Sequence, residues 1–156
     1  MFGKFYNLFD LVLNINHLKH LPKCYKYITI TIAKMGFSRA IIGSSGGIDS
    51  AVTIALAAAA LGPENVRSVL MPSPYSTGHS VDDAVRLSEN LNSPYDIIHI
   101  DKIYASFLKE LAPVFGDLPF SVAEENIQSR SRGNLLMAIA NKLGYILLNT
   151  SNKSEL

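Results

Sequence analysis

Residues 43–50 read Gly-Ser-Ser-Gly-Gly-Ile-Asp-Ser, and their types suit one kind of chemistry. Gly43 to Gly47 are all Gly or Ser, so the backbone there can approach a ligand closely. The β-branched Ile41 and Ile42 just before them suit a buried strand. Ile48 and the Ala-rich run after it suit a helix. Strand, glycine loop and helix N-terminus together point backbone N–H groups and the positive end of the helix dipole at one place, which suits a phosphate. A Walker A loop needs a Lys after its last glycine, and none follows. A dinucleotide fingerprint needs G-x-G-x-x-G, and that spacing is absent. Taken on residue type alone, the stretch is either a phosphate cradle or a Ser/Gly turn before an ordinary helix. Asp49 is either a ligand-facing carboxylate or a first-turn acid on the dipole.

Alternating elements must position this loop. A first strand over residues 39–43 leads into a helix over 48–61, which Gly62-Pro63 ends. A second strand spans 66–71, and Pro72 stops it. The loop PSPYSTGHS follows, and Ser80 is expected to cap a helix that runs to about Asn92, with Asp82 and Asp83 in its first turn. A third strand is expected over 96–100, a helix over 102–112, a loop over 113–121, the longest helix over 124–142 and a fourth strand over 145–149. Before all of these, YKYITITIAKMGF alternates like a strand but also puts Ile28, Ile32 and Met35 on one helical face. It is read as a helix that Pro22 opens and Gly36 closes. Residues 1–21 show mixed helical spacing and no chemistry; His17 and His20 at i, i+3 lack a third ligand. The alternation implies an α/β fold, a doubly wound parallel sheet with right-handed crossovers. Ligands should then gather at the carboxyl ends of the strands, near the switch in strand order. Three polar stretches meet there: 43–47, 71–80 and 149–155.

Composition narrows the function classes. The chain has 156 residues, 48% hydrophobic and 17% charged, with a net charge of +1. That balance offers no electrostatic case for nucleic acid or a membrane surface. No apolar run reaches the length of a membrane span. One cysteine, Cys24, rules out an internal disulfide and fits a reducing cytoplasm.

Ser45-Gly46-Gly47-Ile48-Asp49-Ser50 resembles the SGGxDS pyrophosphate loop of the N-type ATP pyrophosphatases. Two further stretches narrow the likeness. Residues 71–84 read MPSPYSTGHSVDDA. Residues 124–155 read EENIQSRSRGNLLMAIANKLGYILLNTSNKSE and contain the E-N-[IL]-Q-x-R-x-R and T-[GS]-N-K-S-E patterns. With the loop, these resemble NAD synthetase, in particular the synthetase domain of the glutamine-dependent type, from Lys34 to Leu156. Residues 1–31 do not align; 32–156 would be a partial synthetase domain of the adenine nucleotide α-hydrolase-like fold, incomplete at its C-terminus.

The resemblance implies roles residue by residue. Gly43, Ser44, Ser45, Gly46, Gly47, Ile48, Asp49 and Ser50 would bind ATP, with Ser45 to Ser50 holding its β,γ-pyrophosphate. Leu70 and Met71 would offer backbone groups and an apolar surface to adenine, and Thr150 would contact ATP. Arg130 would contact the dinucleotide substrate. Asp49 and Glu155 would hold Mg²⁺. The implied reaction amidates nicotinic acid adenine dinucleotide to NAD through an acyl-adenylate, releasing AMP and pyrophosphate. It needs positioning and charge stabilisation and no nucleophilic side chain. Relatives of the glutamine-dependent type place a glutaminase domain before the synthetase domain. This sequence shows none, so ammonia, free or from a separate glutaminase, would be the nitrogen donor. The likeness further implies a cytoplasmic homodimer and a fragment that need not be active alone. A non-catalytic ATP-binding module and a GMP synthetase-like amidotransferase are the alternatives.

Overall fold

The computed structural model describes residues 6–7, 21–73, 75–76 and 78–150. The expectations for His17, His20 and Glu155 lie outside them. In chain order the elements are β1 (Tyr6–Asn7), α1 (Leu21–Lys34), β2 (Ala40–Ser44), α2 (Ile48–Leu61), a 3₁₀ turn (Pro63–Asn65), β3 (Val66–Leu70), α3 (Gly78–Leu91), β4 (Tyr95–Ile97), α4 (Asp101–Phe115), α5 (Val122–Leu143) and β5 (Ile146–Asn149).

The five strands form one parallel sheet in the order β1-β5-β2-β3-β4. Register on β2 is set by Ile42, opposite Ser68 of β3 and Leu148 of β5. Side chains alternate across the sheet, as period two requires. Ala40 and Ile42 face one way, into a core with Ile28 and Ile32 of α1, Ile54, Ala57 and Ala58 of α2, and Ile146 and Leu148 of β5. Ile41 and Val69 face the other way, against Leu135, Leu136, Ile139 and Ala140 of α5. Helices therefore cover both faces, as the doubly wound reading expects. The alanines of α2 let that helix sit close to the strands, and Ala57 is completely buried. Arg67 of β3 and Asp96 of β4 join neighbouring strands through two hydrogen bonds, 2.5 and 2.8 Å, and the guanidinium holds the carboxyl of Asp96 below its ordinary value.

The helix read over YKYITITIAKMGF is present as α1, and the positive φ of Gly36 (83°) closes it. Several boundaries differ from the sequence reading, each for a local reason. β1 was not expected, because two residues carry no periodicity; backbone pairing with Leu148 and Asn149 makes it a strand. α3 starts at Gly78, so Ser80 lies within its first turn instead of capping it, and Asp82 and Asp83 fall in the second turn. α4 runs through Pro113 to Phe115: a proline in the last turn forfeits one exposed hydrogen bond, and Gly116 N–H still closes the helix on Ala112 O at 3.0 Å. β4 ends at Ile97, although Ile98 N–H and Ile100 N–H continue to bond Leu70 O and Pro72 O at 2.8 and 3.1 Å.

Candidate active site

The chain runs from β2 outward through β3 to β4, then returns to place β5 on the other side of β2. The switch in strand order therefore lies between β2 and β5. A cleft of about 410 Å³ opens there, lined by Ser45, Gly47, Ile48, Asp49, Ser50, Asn149 and Thr150. This is the position that strand order alone assigns to a ligand.

The loop after β2 is held by its own hydroxyls. Ser50 Oγ donates to Gly47 O at 2.9 Å and accepts from Ser45 N–H at 3.3 Å. Ser45 Oγ accepts from Gly47 N–H at 3.3 Å. Ser50 is thus a buried staple of the loop. Gly46 turns with φ of 79°, and a Cβ there would lie 2.2 Å from Ser80 O, so the loop is wedged against the first turn of α3. Only glycine meets both conditions.

α2 begins at Ile48 with Gly47 as its N-cap, and no side chain caps it. The first intrahelical bond is Ala51 N–H to Gly47 O, 3.1 Å. By helix geometry the N–H groups of Ile48, Asp49 and Ser50 have no carbonyl ahead of them within the helix. They open on the cleft, where the dipole favours negative charge. Asp49, half-buried, brings a carboxylate to the same cleft, and its backbone carbonyl is engaged by Thr53 Oγ1 at 2.8 Å. The arrangement suits a polyanion accompanied by a cation: amides for the anion, and a hard oxygen ligand for the cation.

Other expected site residues sit elsewhere. Gly43 and Ser44 belong to β2 itself; a Cβ on Gly43 would lie 3.0 Å from Leu136 Cδ1 of α5, and Ser44 is buried with an unpartnered Oγ. Gly46 faces α3. Met71 is buried at the end of β3. Arg130 lies exposed on α5, whereas Arg132 turns inward and donates from Nε to Met71 O at 3.0 Å. Burial lowers the pKa of the Arg132 guanidinium below its ordinary value. The sequence reading put Asn149 in a polar stretch at this edge without giving it a role, and it missed Arg132 on the strand end. Among the described residues, no cluster of three His, Cys, Asp or Glu groups could hold a metal by itself.

The family model for NAD synthase matches residues 20–156. The chain belongs to the NAD synthase family. A curated relative, the glutamine-dependent NAD(+) synthetase of Synechocystis, is 58% identical over 123 residues. The solved glutamine-dependent NAD+ synthetase of Acinetobacter baumannii, in complex with ADP, is 44% identical, with a TM-score of 0.78 over 80% of this chain and 24% of that one. The NH3-dependent NAD synthetase of Campylobacter jejuni, in complex with nitrate ion, is 34% identical, with a TM-score of 0.77 over 88% of this chain and 57% of that one. The match to the Synechocystis protein spans 79% of this chain and 22% of that protein, so this family member corresponds to about a fifth of the curated relatives it matches. Among its described residues, no helix is long and apolar enough to cross a membrane.

Proposed function

We propose that this chain forms the ATP-pyrophosphate end of a NAD synthetase, which amidates nicotinic acid adenine dinucleotide to NAD. The observation that carries the reading is the cleft at the β2–β5 switch, where an uncapped helix N-terminus and Asp49 face the end of β5. The ADP bound to the Acinetobacter relative supports a nucleotide at this fold.

In this reading the loop from Ser45 to Ser50 takes the β,γ-pyrophosphate on its amides. Leu70 and Met71 face the adenine, and Thr150 contacts ATP. Arg130 binds the dinucleotide, for which a planar guanidinium is well suited. A carboxylate oxygen of the dinucleotide attacks the α-phosphorus as the bond to pyrophosphate breaks. Ammonia then attacks the activated carbonyl, a proton is lost, and AMP leaves. Asp49, beside the amides, has the chemistry of a Mg²⁺ ligand, since this ion takes one or two carboxylates along with substrate phosphates; Glu155 is assigned as a second. When bound, Mg²⁺ would offset charge on the departing pyrophosphate. The protein's own part is to orient the phosphates and hold the leaving group on fixed dipoles. A cytoplasmic homodimer belongs to the same proposal, carried by the family likeness.

The test is a chimera in which this chain replaces the matching 123 residues of the Synechocystis synthetase. It should release pyrophosphate only when the dinucleotide acid, ATP and Mg²⁺ are all present, and Asp49→Asn should lower release sharply. A folded chimera that binds ATP without pyrophosphate release would support a non-catalytic module instead. Release driven by xanthylate would support a GMP synthetase-like enzyme.

A further inference from the structure

The inward face of α5 changes character along its length. Its C-terminal half presents Leu135, Leu136, Ile139 and Ala140 to the sheet. Its N-terminal half buries polar groups instead: Glu124, Gln128 and Ser131, with Arg132 half-buried. Glu124 is engaged by Ser121, and Ser131 Oγ donates to Ile127 O at 2.8 Å, so both serve α5 itself. Arg132 reaches out of the helix to the end of β3. Among the described residues no carboxylate pairs with it, and a half-buried cation without a counter-charge is costly to keep.

Its acceptor explains the placement. Leu70 O and Pro72 O both point toward the β4 side, where they accept from Ile98 and Ile100 N–H. Carbonyls alternate along a strand, so Met71 O points the other way, toward β2. But β2 has left the sheet after Ser44, the partner of Leu70, to become the phosphate loop. Met71 O is therefore a strand-end carbonyl without a strand partner, and Arg132 Nε–H supplies one. A backbone carbonyl has two lone pairs, so one remains for a ligand.

We infer that Arg132 is a positioning residue for the adenine base: by holding the Met71 carbonyl, it fixes an acceptor for the 6-amino group. The inference rests on the proposed ATP-site reading, in which adenine lies at Met71, beyond the residues that line the cleft. Adenine donates from its 6-amino group, whereas guanine carries a 6-oxo group that would meet the carbonyl oxygen unfavourably. A fixed carbonyl thus discriminates between the bases, and a mobile one does not.

The experiment measures binding of ATP, purine riboside triphosphate (which lacks the 6-amino group) and inorganic pyrophosphate to the unaltered chain and to Arg132→Gln. In the unaltered chain, loss of the 6-amino group should weaken binding about tenfold, the worth of one hydrogen bond. In Arg132→Gln that difference should shrink to near unity, with pyrophosphate binding unchanged. Equal affinity of the unaltered chain for both nucleotides would overturn the inference whatever the fate of the variant. So would a variant that weakens all three ligands together or keeps the full tenfold difference. If the unaltered chain binds neither ATP nor pyrophosphate, it is the ATP-site reading that fails. If it binds both and ignores the 6-amino group, the role of Arg132 alone fails.

Discussion

Two helices in this molecule begin in opposite ways. α5 starts at a complete capping box: Ala123 N–H donates to Ser121 Oγ at 3.2 Å, and Ser121 N–H donates to the Glu124 carboxylate at 2.8 Å. Its first turn is satisfied by its own side chains. α2 starts at Gly47, with no side-chain cap, and the hydroxyls of Ser45 and Ser50 staple the loop in front of it. A helix that needed only stability would take the first solution, worth about 1 kcal/mol. The second leaves its amides turned to a cleft and ready for an anion. In the proposed reading, the contrast separates an N-terminus used for folding from one held open for a ligand.

The comparison can be broken at either end. The largest effect is expected from Gly46→Ala, which places a methyl group on Ser80 O and forces a positive φ on alanine. Unfolding by denaturant should show a loss of about 2–4 kcal/mol, with nucleotide binding lost as the loop moves. Asp49→Asn should lower pyrophosphate release by the chimera by about a hundredfold or more, the scale of a lost electrostatic group at a reacting phosphate. Its stability should change by no more than about 1 kcal/mol, the worth of a first-turn acid on the dipole. A large stability loss without a rate effect would make Asp49 a helix acid only. Ser121→Ala should do the reverse, costing about 1 kcal/mol in stability and leaving nucleotide affinity unchanged.

The smallest effect is a pH dependence. The Ser121 backbone N–H holds the Glu124 carboxyl below its ordinary value of 4.5. A lowered folded value means the carboxylate stabilises the fold fully above about that pH, and the contribution is lost as pH falls through the lowered value. Glu124→Gln should flatten the acid limb of a stability–pH curve and leave the neutral region's slope unaltered.

The strand–loop–helix at residues 40–61 was legible because three compositions abut: β-branched, Gly/Ser and Ala-rich. Each dictates a different backbone, and the boundaries of α2 follow. The parallel sheet was legible from alternation. What was not legible depended on partners distant in sequence. β1 exists only through pairing with β5. The start of α3 is tied to Gly46, thirty-odd residues away. In the site, Arg130 and Arg132 look alike as residues, and only the phase of α5 tells them apart. The signal was present: Gln128, Arg132, Leu136 and Ala140 recur every four residues, so the apolar stripe of the helix continues back through Arg132 and bypasses Arg130.

The central claim is that the N-terminus of α2 receives an anion and that of α5 does not. Titrating inorganic pyrophosphate with Mg²⁺ into ¹⁵N-labelled chain, and following the backbone amides, tests it directly. The amides of Ser45 to Ser50 should shift together in a saturable way, while those of Ser121 to Glu124 stay in place. Unmoved amides at 45–50, or equal shifts at both helix ends, would contradict it.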